Sequence, residues 1–171
     1  MESSNVKLYS LSLRDVRTYA FAALFIVGNI VFPQLCHALM PKGGLIFLPI
    51  YFFTLIGAYK YGAKVGLLTA LLSPIINSAF FGMPPVSALP MIVMKGVLLA
   101  CVASVIANRT KSVSIFAILV VVLMYQVVGC GIEWAVKGSF MAGVQDFRLG
   151  VPGMLIQVIG GWAFIKFILK K

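Results

Sequence analysis

Few side chains in this sequence are equipped for chemistry, and most of those lie inside apolar runs rather than between them. Lys95 and Glu133 are the ionisable pair, Asn77, Gln126 and Gln157 contribute amides, and His37, Trp134 and Met91 an imidazole, an indole and a thioether. A charge at the centre of a bilayer costs about 2.5 to 3.5 kcal/mol even on the most lenient scale, so groups of this kind need partners or water. Together, with Met94 and Tyr125, they describe a polar pocket walled by aromatic and sulfur side chains. Such a lining suits a small amphipathic solute, with rings to stack on and a few polar groups to orient it. Each residue also has a plain structural use. Lys95 and Glu133 can form a buried pair that only fixes helix register. The three amides can be interhelical hydrogen bonds, and His37 an interfacial histidine. Tyr51 and Trp162 read as packing or interfacial-belt residues.

Motifs for catalysis are missing. There is no P-loop, no G-x-S-x-G, no H-E-x-x-H, and no paired acids along one helix, and the candidate acids do not pair with each other. No catalytic residue, metal site or cofactor is expected. Cys36, Cys101 and Cys130 sit in apolar runs without CxxC spacing or a nearby His cluster, which favours packing over zinc or a disulfide.

Composition says what must surround these residues. With 61% hydrophobic residues over 171 positions and a mean hydropathy of +1.06, the chain cannot cover a water-soluble core, which excludes a soluble fold. The formal net charge of +10 would suggest nucleic acid in a soluble protein. Here the basic residues stand at the ends of apolar runs, where membrane topology requires them, so no nucleic-acid partner is expected. The surroundings are lipid.

A span needs roughly 20 mostly apolar residues, and six segments approach that: about 16–36, 45–59, 63–80, 86–107, 113–136 and 149–169. The second is short and needs shelter from its neighbours, or Lys42 and Lys60 snorkelling outward from its ends. Gly and Pro punctuate the joints, at Met40-Pro41-Lys42-Gly43-Gly44, Lys60-Tyr61-Gly62 and Gly82-Met83-Pro84-Pro85. With no repeat, linker or soluble segment, residues 1–171 read as a single all-α membrane domain with a tail over 1–15. Arg14 and Arg17 precede the first run with no A-x-A-like cleavage site after it, so that helix is expected to be retained.

Alternating the compartments puts Lys7, Arg14, Arg17, Lys60, Lys64, Arg109, Lys111, Lys166, Lys170 and Lys171 on one side, against Lys42, Lys137 and Arg148 on the other. The positive-inside rule then places both termini in the cytoplasm. In that frame Lys95, Glu133, Asn77, Gln126, Gln157 and His37 fall in the outer half of the membrane, while the inner half is nearly all apolar. Gly62, Gly66 and Ala70, four apart, let a neighbouring backbone approach closely, and Pro74 is expected to kink the third helix just below Asn77.

The run Leu48-Pro49-Ile50, Gly57, Gly62, Gly66, Ser73-Pro74, Gly82-Met83-Pro84-Pro85 and Pro90-Met91 resembles the substrate-binding S-component of energy-coupling factor (ECF) vitamin transporters. The likeness covers residues 10–170 in topology, and its specific motifs occupy 43–96. It implies a six-helix bundle in the bacterial cytoplasmic membrane that binds a water-soluble vitamin or related micronutrient from the outer face. It implies partners too: a transmembrane T-component and two cytoplasmic ATPases. The ligand would lie between the outer ends of the later helices, where Lys95, Glu133, Trp134 and Gln157 are placed, with residues 37–44 as a lid. Two features depart from the family. The first helix carries only Ala20, Ala22, Ala23 and Gly28 in place of an A-x-x-x-A docking stripe. Lys95 stands where members often have an acid, which favours an anionic solute or an internal pair with Glu133. Six short helices without repeats leave no two halves to rock against each other, so other subunits are expected to supply the work. The rivals are a stand-alone small-solute channel or facilitator, and an intramembrane enzyme or assembly factor using His37, Glu133 or Asp146.

Overall fold

A computed structural model describes residues 6–169. Residues 1–5 of the expected tail, and Lys170 and Lys171 of the expected cytoplasmic charges, lie outside the described residues. Helix α1 (Val16–Leu39) starts where the Asp15 side chain accepts the Arg17 backbone N–H at 2.9 Å, an N-cap that satisfies a free donor of the first turn. A short α2 (Gly43–Phe47) follows. Leu48 then turns left-handed at φ 46°, and the following Pro49 disfavours continuing the right-handed helix through it. After the 3₁₀ turn Pro49–Tyr51 comes α3 (Phe52–Tyr61). The expected continuous helix over 45–59 is therefore broken at Leu48. Beyond lie α4 (Ala63–Phe81), α5 (Leu89–Thr110), α6 (Ile115–Lys137), the short α7 (Phe140–Gly143) and α8 (Gln145–Leu149), and α9 (Val151–Ile168), whose backbone opens into wider π turns at Ile156–Gly160 and Phe164–Ile168.

The described residues are all-helical, and α1, α4, α5, α6 and α9 are long and apolar enough to cross a membrane. Their ends fall within about one helical turn of the expected boundaries. Their outward faces are apolar, with Val27 and Val31 of α1, Phe116 and Val127 of α6 and Ile159 and Phe167 of α9 all exposed. That is the surface of a multi-pass membrane protein, whose solvent is hydrocarbon rather than water.

Helix α3 is the centre of the bundle. Every residue from Thr54 to Tyr61 is buried, and α3 packs on α1, α4, α5 and α9. It runs antiparallel to α1, as the contacts Phe21 with Tyr61, Phe25 with Gly57 and Phe32 with Phe52 show. Helix α4 runs parallel to α1: Asn29 bonds Ser73, and Gln34 bonds Asn77. Asn29 ties all three together by donating to Thr54 Oγ1 at 3.0 Å while its own carbonyl oxygen accepts the Phe53 N–H at 3.1 Å.

The small-residue stripe of α4 does what its spacing implies. A Cβ on Gly66 would lie 2.4 Å from that of Ala58, and Ala70 faces Gly96 of α5. Helix α4 runs unbroken through Pro74. At the end carrying the N-terminal arm, Lys60 does not snorkel outward. It is buried, donates to the Lys7 carbonyl at 2.6 Å and lies over the Tyr9 ring. The arm itself is laid along α3 by Tyr9 N–H to Lys60 O and Leu11 N–H to Tyr61 O.

Candidate functional site

At the opposite end of the bundle α5 brings Lys95 inward two turns from its start. Its ammonium is 1% exposed and touches two carboxylates, Glu133 of α6 at 2.5 Å and Asp146 of α8 at 2.6 Å. Lys137, one turn beyond Glu133, takes the other Glu133 oxygen. The stem of Lys95 lies against Gly129, where a Cβ would come within 2.9 Å of Lys95 Cγ. Gln126, Gly129 and Glu133 share one face of α6 because they are spaced i, i+3, i+7. The absence of a side chain at Gly129 makes the slot through which Lys95 reaches the acids. The two acids thus meet on one ammonium although sequence reading left them unpaired.

Beside this ion cluster lies a second polar group. The Tyr125 hydroxyl donates to Gln157 Oε1 at 2.9 Å. Gln157 Nε2 points to the carbonyl of Leu48 at the long distance of 3.5 Å. The Tyr51 and Tyr125 rings are 5.6 Å apart, and the Tyr51 phenol is within electrostatic reach of Asp146 and Glu133. Among the described residues, three buried side-chain atoms have no hydrogen-bond partner: Tyr51 Oη and both amide atoms of Gln126. Buried polar groups are nearly always satisfied, and leaving one unmade costs about 1 to 3 kcal/mol, so these orphans mark a place built for something polar.

The roof is made of short pieces. Helix α2 packs on α8 and α9, so closely that a Cβ on Gly153 would lie 2.4 Å from the Phe47 backbone. Helices α7 and α8 close the side. Gly143 seats α7 against Cys130 and Trp134, and Phe147 of α8 lines the same hollow as Cys130.

Of the residues singled out from sequence, Lys95, Glu133, Gln126 and Gln157 come together here. Met91 stands one turn from Lys95 on the same side of α5, half-buried. Trp134 does not wall this core. It is 51% exposed and stacks edge-to-face on Phe140, lining a separate apolar hollow of about 260 Å³. Trp134 is turned about 100° around α6 from Glu133, which here carries it onto an exposed face. Asn77 and His37 also lie elsewhere. Asn77 is fully used, donating to the Asn29 carbonyl at 2.8 Å and accepting from Gln34. His37 packs on Gly44, and both it and Asn77 border a groove of about 460 Å³ between the end of α1, α2 and Met83–Pro85. The expected single pocket is therefore two regions.

Sequence reading assigned no site role to Tyr51 or Gly129, and it placed Asp146 among the outer charges, with a role only in the rival enzyme or assembly-factor reading. Gly129 was detectable from its position between Gln126 and Glu133 on one face; Asp146 carried no periodic signal in its loop. Among the described residues no group of three or more His, Cys, Asp or Glu is placed to hold a metal ion. No family model, curated protein or solved structure matches the chain.

Proposed function

We propose that this chain is a substrate-capture subunit, the S-component of an ECF-type importer, taking a small water-soluble vitamin or related micronutrient from the outer face of the bacterial cytoplasmic membrane. The observation that carries this reading is the buried polar core at one end of an otherwise apolar bundle, where Tyr51 presents an unpartnered hydroxyl near the Lys95 ion cluster and Gln126 an unpartnered amide on the face of α6 that carries Glu133. Orphaned polar atoms under a roof of short helices are what a capture site looks like before its ligand completes the hydrogen bonds.

In this reading α3 is the second of six crossings, sheltered by its neighbours, and both termini are cytoplasmic. The parallel run of α1 and α4, with α3 antiparallel between them, supports it. The bundle has no second half to move against, so release inward falls to a T-component and two ATPases. In this reading the chain binds the solute and leaves ATP hydrolysis to its partners.

The test is thermal stability of the purified protein in detergent against a panel of vitamins and their precursors. A ligand at 100 times its dissociation constant stabilises the folded state by ~2.7 kcal/mol, enough for a clear shift. One compound, or one chemical family, is expected to raise the midpoint. A flat response across the panel, together with solute flux through proteoliposomes holding the protein alone, would replace this reading with that of a facilitator.

A further inference from the structure

Lys95 holds one carboxylate more than it needs. Glu133 belongs to a long helix and has Lys137 as a second partner, whereas Asp146 sits on the five-residue α8, is 19% exposed, and has Lys95 as its ion-pair partner. The two acids are therefore not equivalent: one is built into the bundle, the other is carried on its cover. Charge makes the same distinction. With Asp146 in place the cluster of two lysines and two acids is neutral. With α8 lifted, Lys95, Glu133 and Lys137 leave one net positive charge near Tyr51, whose hydroxyl is unpartnered, and two turns along the same face of α6 from the unpartnered Gln126 amide.

We infer that Asp146 is a built-in stand-in for the acidic group of the captured solute. The 138–150 segment closes the empty site by lending its carboxylate to Lys95, and a monoanionic solute, a carboxylate first of all, enters by taking that place. This rests on the capture reading above and adds the solute's charge class. A cationic amine has no such place, because the opened site is already positive and its one free acid leaves with the cover. The solute's polar ring atoms would complete Tyr51 and Gln126, and its acid would complete Lys95. Because apparent affinity is the intrinsic affinity scaled by the fraction of open protein, the stand-in also weakens binding in proportion to how well it latches.

The experiment uses the full chain in detergent and four probes: benzoate, nicotinate, uncharged nicotinamide and cationic benzylamine. Binding is measured by equilibrium dialysis on the wild-type protein and on Asp146→Asn, which keeps the size and removes the charge. Latching is measured without any ligand, as the rate at which a water-soluble maleimide modifies Cys130, buried beneath α7 and α8, in a background with Cys36→Ser and Cys101→Ser. The expected result is that benzoate and nicotinate bind Asp146→Asn about tenfold tighter than wild type, the weight of one charge-assisted hydrogen bond. The two controls stay weak, and Cys130 labelling speeds up several-fold.

Unchanged or weaker carboxylate binding in Asp146→Asn overturns the stand-in, and unchanged labelling overturns the latch. A wild-type preference for benzylamine over benzoate overturns the charge class while leaving capture intact, and needs no variant. If the vitamin panel and all four probes fail together, capture itself falls. Should Asp146→Asn not fold, Asp146→Ala serves with the same expected direction.

Discussion

Lys95 lies between Glu133 and Asp146 with almost no exposure, so the cluster has a sign-specific weak point. Replacing Lys95 by Met removes the cation and leaves two carboxylates facing each other, and breaking a buried pair from one side costs about 3 to 5 kcal/mol. Replacing all three, as Lys95→Met with Glu133→Gln and Asp146→Asn, removes every buried charge of the cluster, leaves only the exposed Lys137 ammonium, and is expected to recover most of that loss. Thermal unfolding in detergent followed by circular dichroism checks both, and a Lys95→Met protein within about 1 kcal/mol of wild type would mean the ammonium is solvated rather than paired. The Lys95–Glu133 contact was legible in the sequence because two charges in apolar runs fall at overlapping depth and have few other partners. Asp146 was not, because a loop carries no periodicity that says which way it folds back. Trp134 shows the opposite failure: sequence adjacency to Glu133 suggested a shared site, but the ~100° step along α6 turns the indole outward onto Phe140.

Among the elements, the tightest fits are between backbones. A Cβ on Gly66 would sit 2.4 Å from Ala58 Cβ, and one on Gly153 would sit 2.4 Å from the carbonyl carbon of Phe47. The first contact joins α4 to the central α3, the second joins the α2 roof to α9, so the same kind of substitution separates scaffold from cover. Gly66→Val is expected to lower global stability by about 1 to 3 kcal/mol or more through overpacking. Gly153→Val is expected to dislodge α2, with a smaller loss of thermal stability but a marked rise in protease nicking between Met40 and Leu48. Equal effects of the two variants on both readouts would show that α2 is part of the scaffold. The long helices were readable from hydropathy and length alone, and the α4 stripe from its four-residue spacing. The break at Leu48 was obscured because apolar residues continue on both sides of it. The π turns of α9 left no trace, since an extra residue per turn does not disturb an all-apolar pattern.

For the whole molecule the open question is how α3 relates to the bilayer. Together with the 3₁₀ turn before it, from Pro49 to Tyr61, it measures about 20 Å at ~1.5 Å per residue, well short of the ~30 Å hydrocarbon layer. Its ends must therefore be finished by protein. At one end the Val6–Leu11 arm supplies backbone hydrogen bonds to Lys60 and Tyr61, and at the other α2 and the 3₁₀ turn cover Tyr51. Because α1 and α4 run parallel, the chain must return between them, and α3 is the segment that makes the return. In the six-crossing reading, the burial of Thr54–Tyr61 is what lets so short a helix make that return sheltered from lipid. The prediction is that Ser12 and Lys111 share one side of the membrane and Ser139 lies on the other. Single cysteines at these positions, introduced with Cys36, Cys101 and Cys130 replaced by Ser, are expected to react with an impermeant maleimide only at Ser139 in intact cells, and at the other two only after the membrane is opened. Labelling of Ser12 and Ser139 from the same side would mean an odd number of crossings before Ser139 is wrong, and α3 would then be a buried hairpin arm instead of a span. Labelling of Ser12 and Lys111 from outside with Ser139 protected would keep six crossings and invert the protein. The polar core would then open to the cytoplasm, where a capture subunit for external solutes has no use for it.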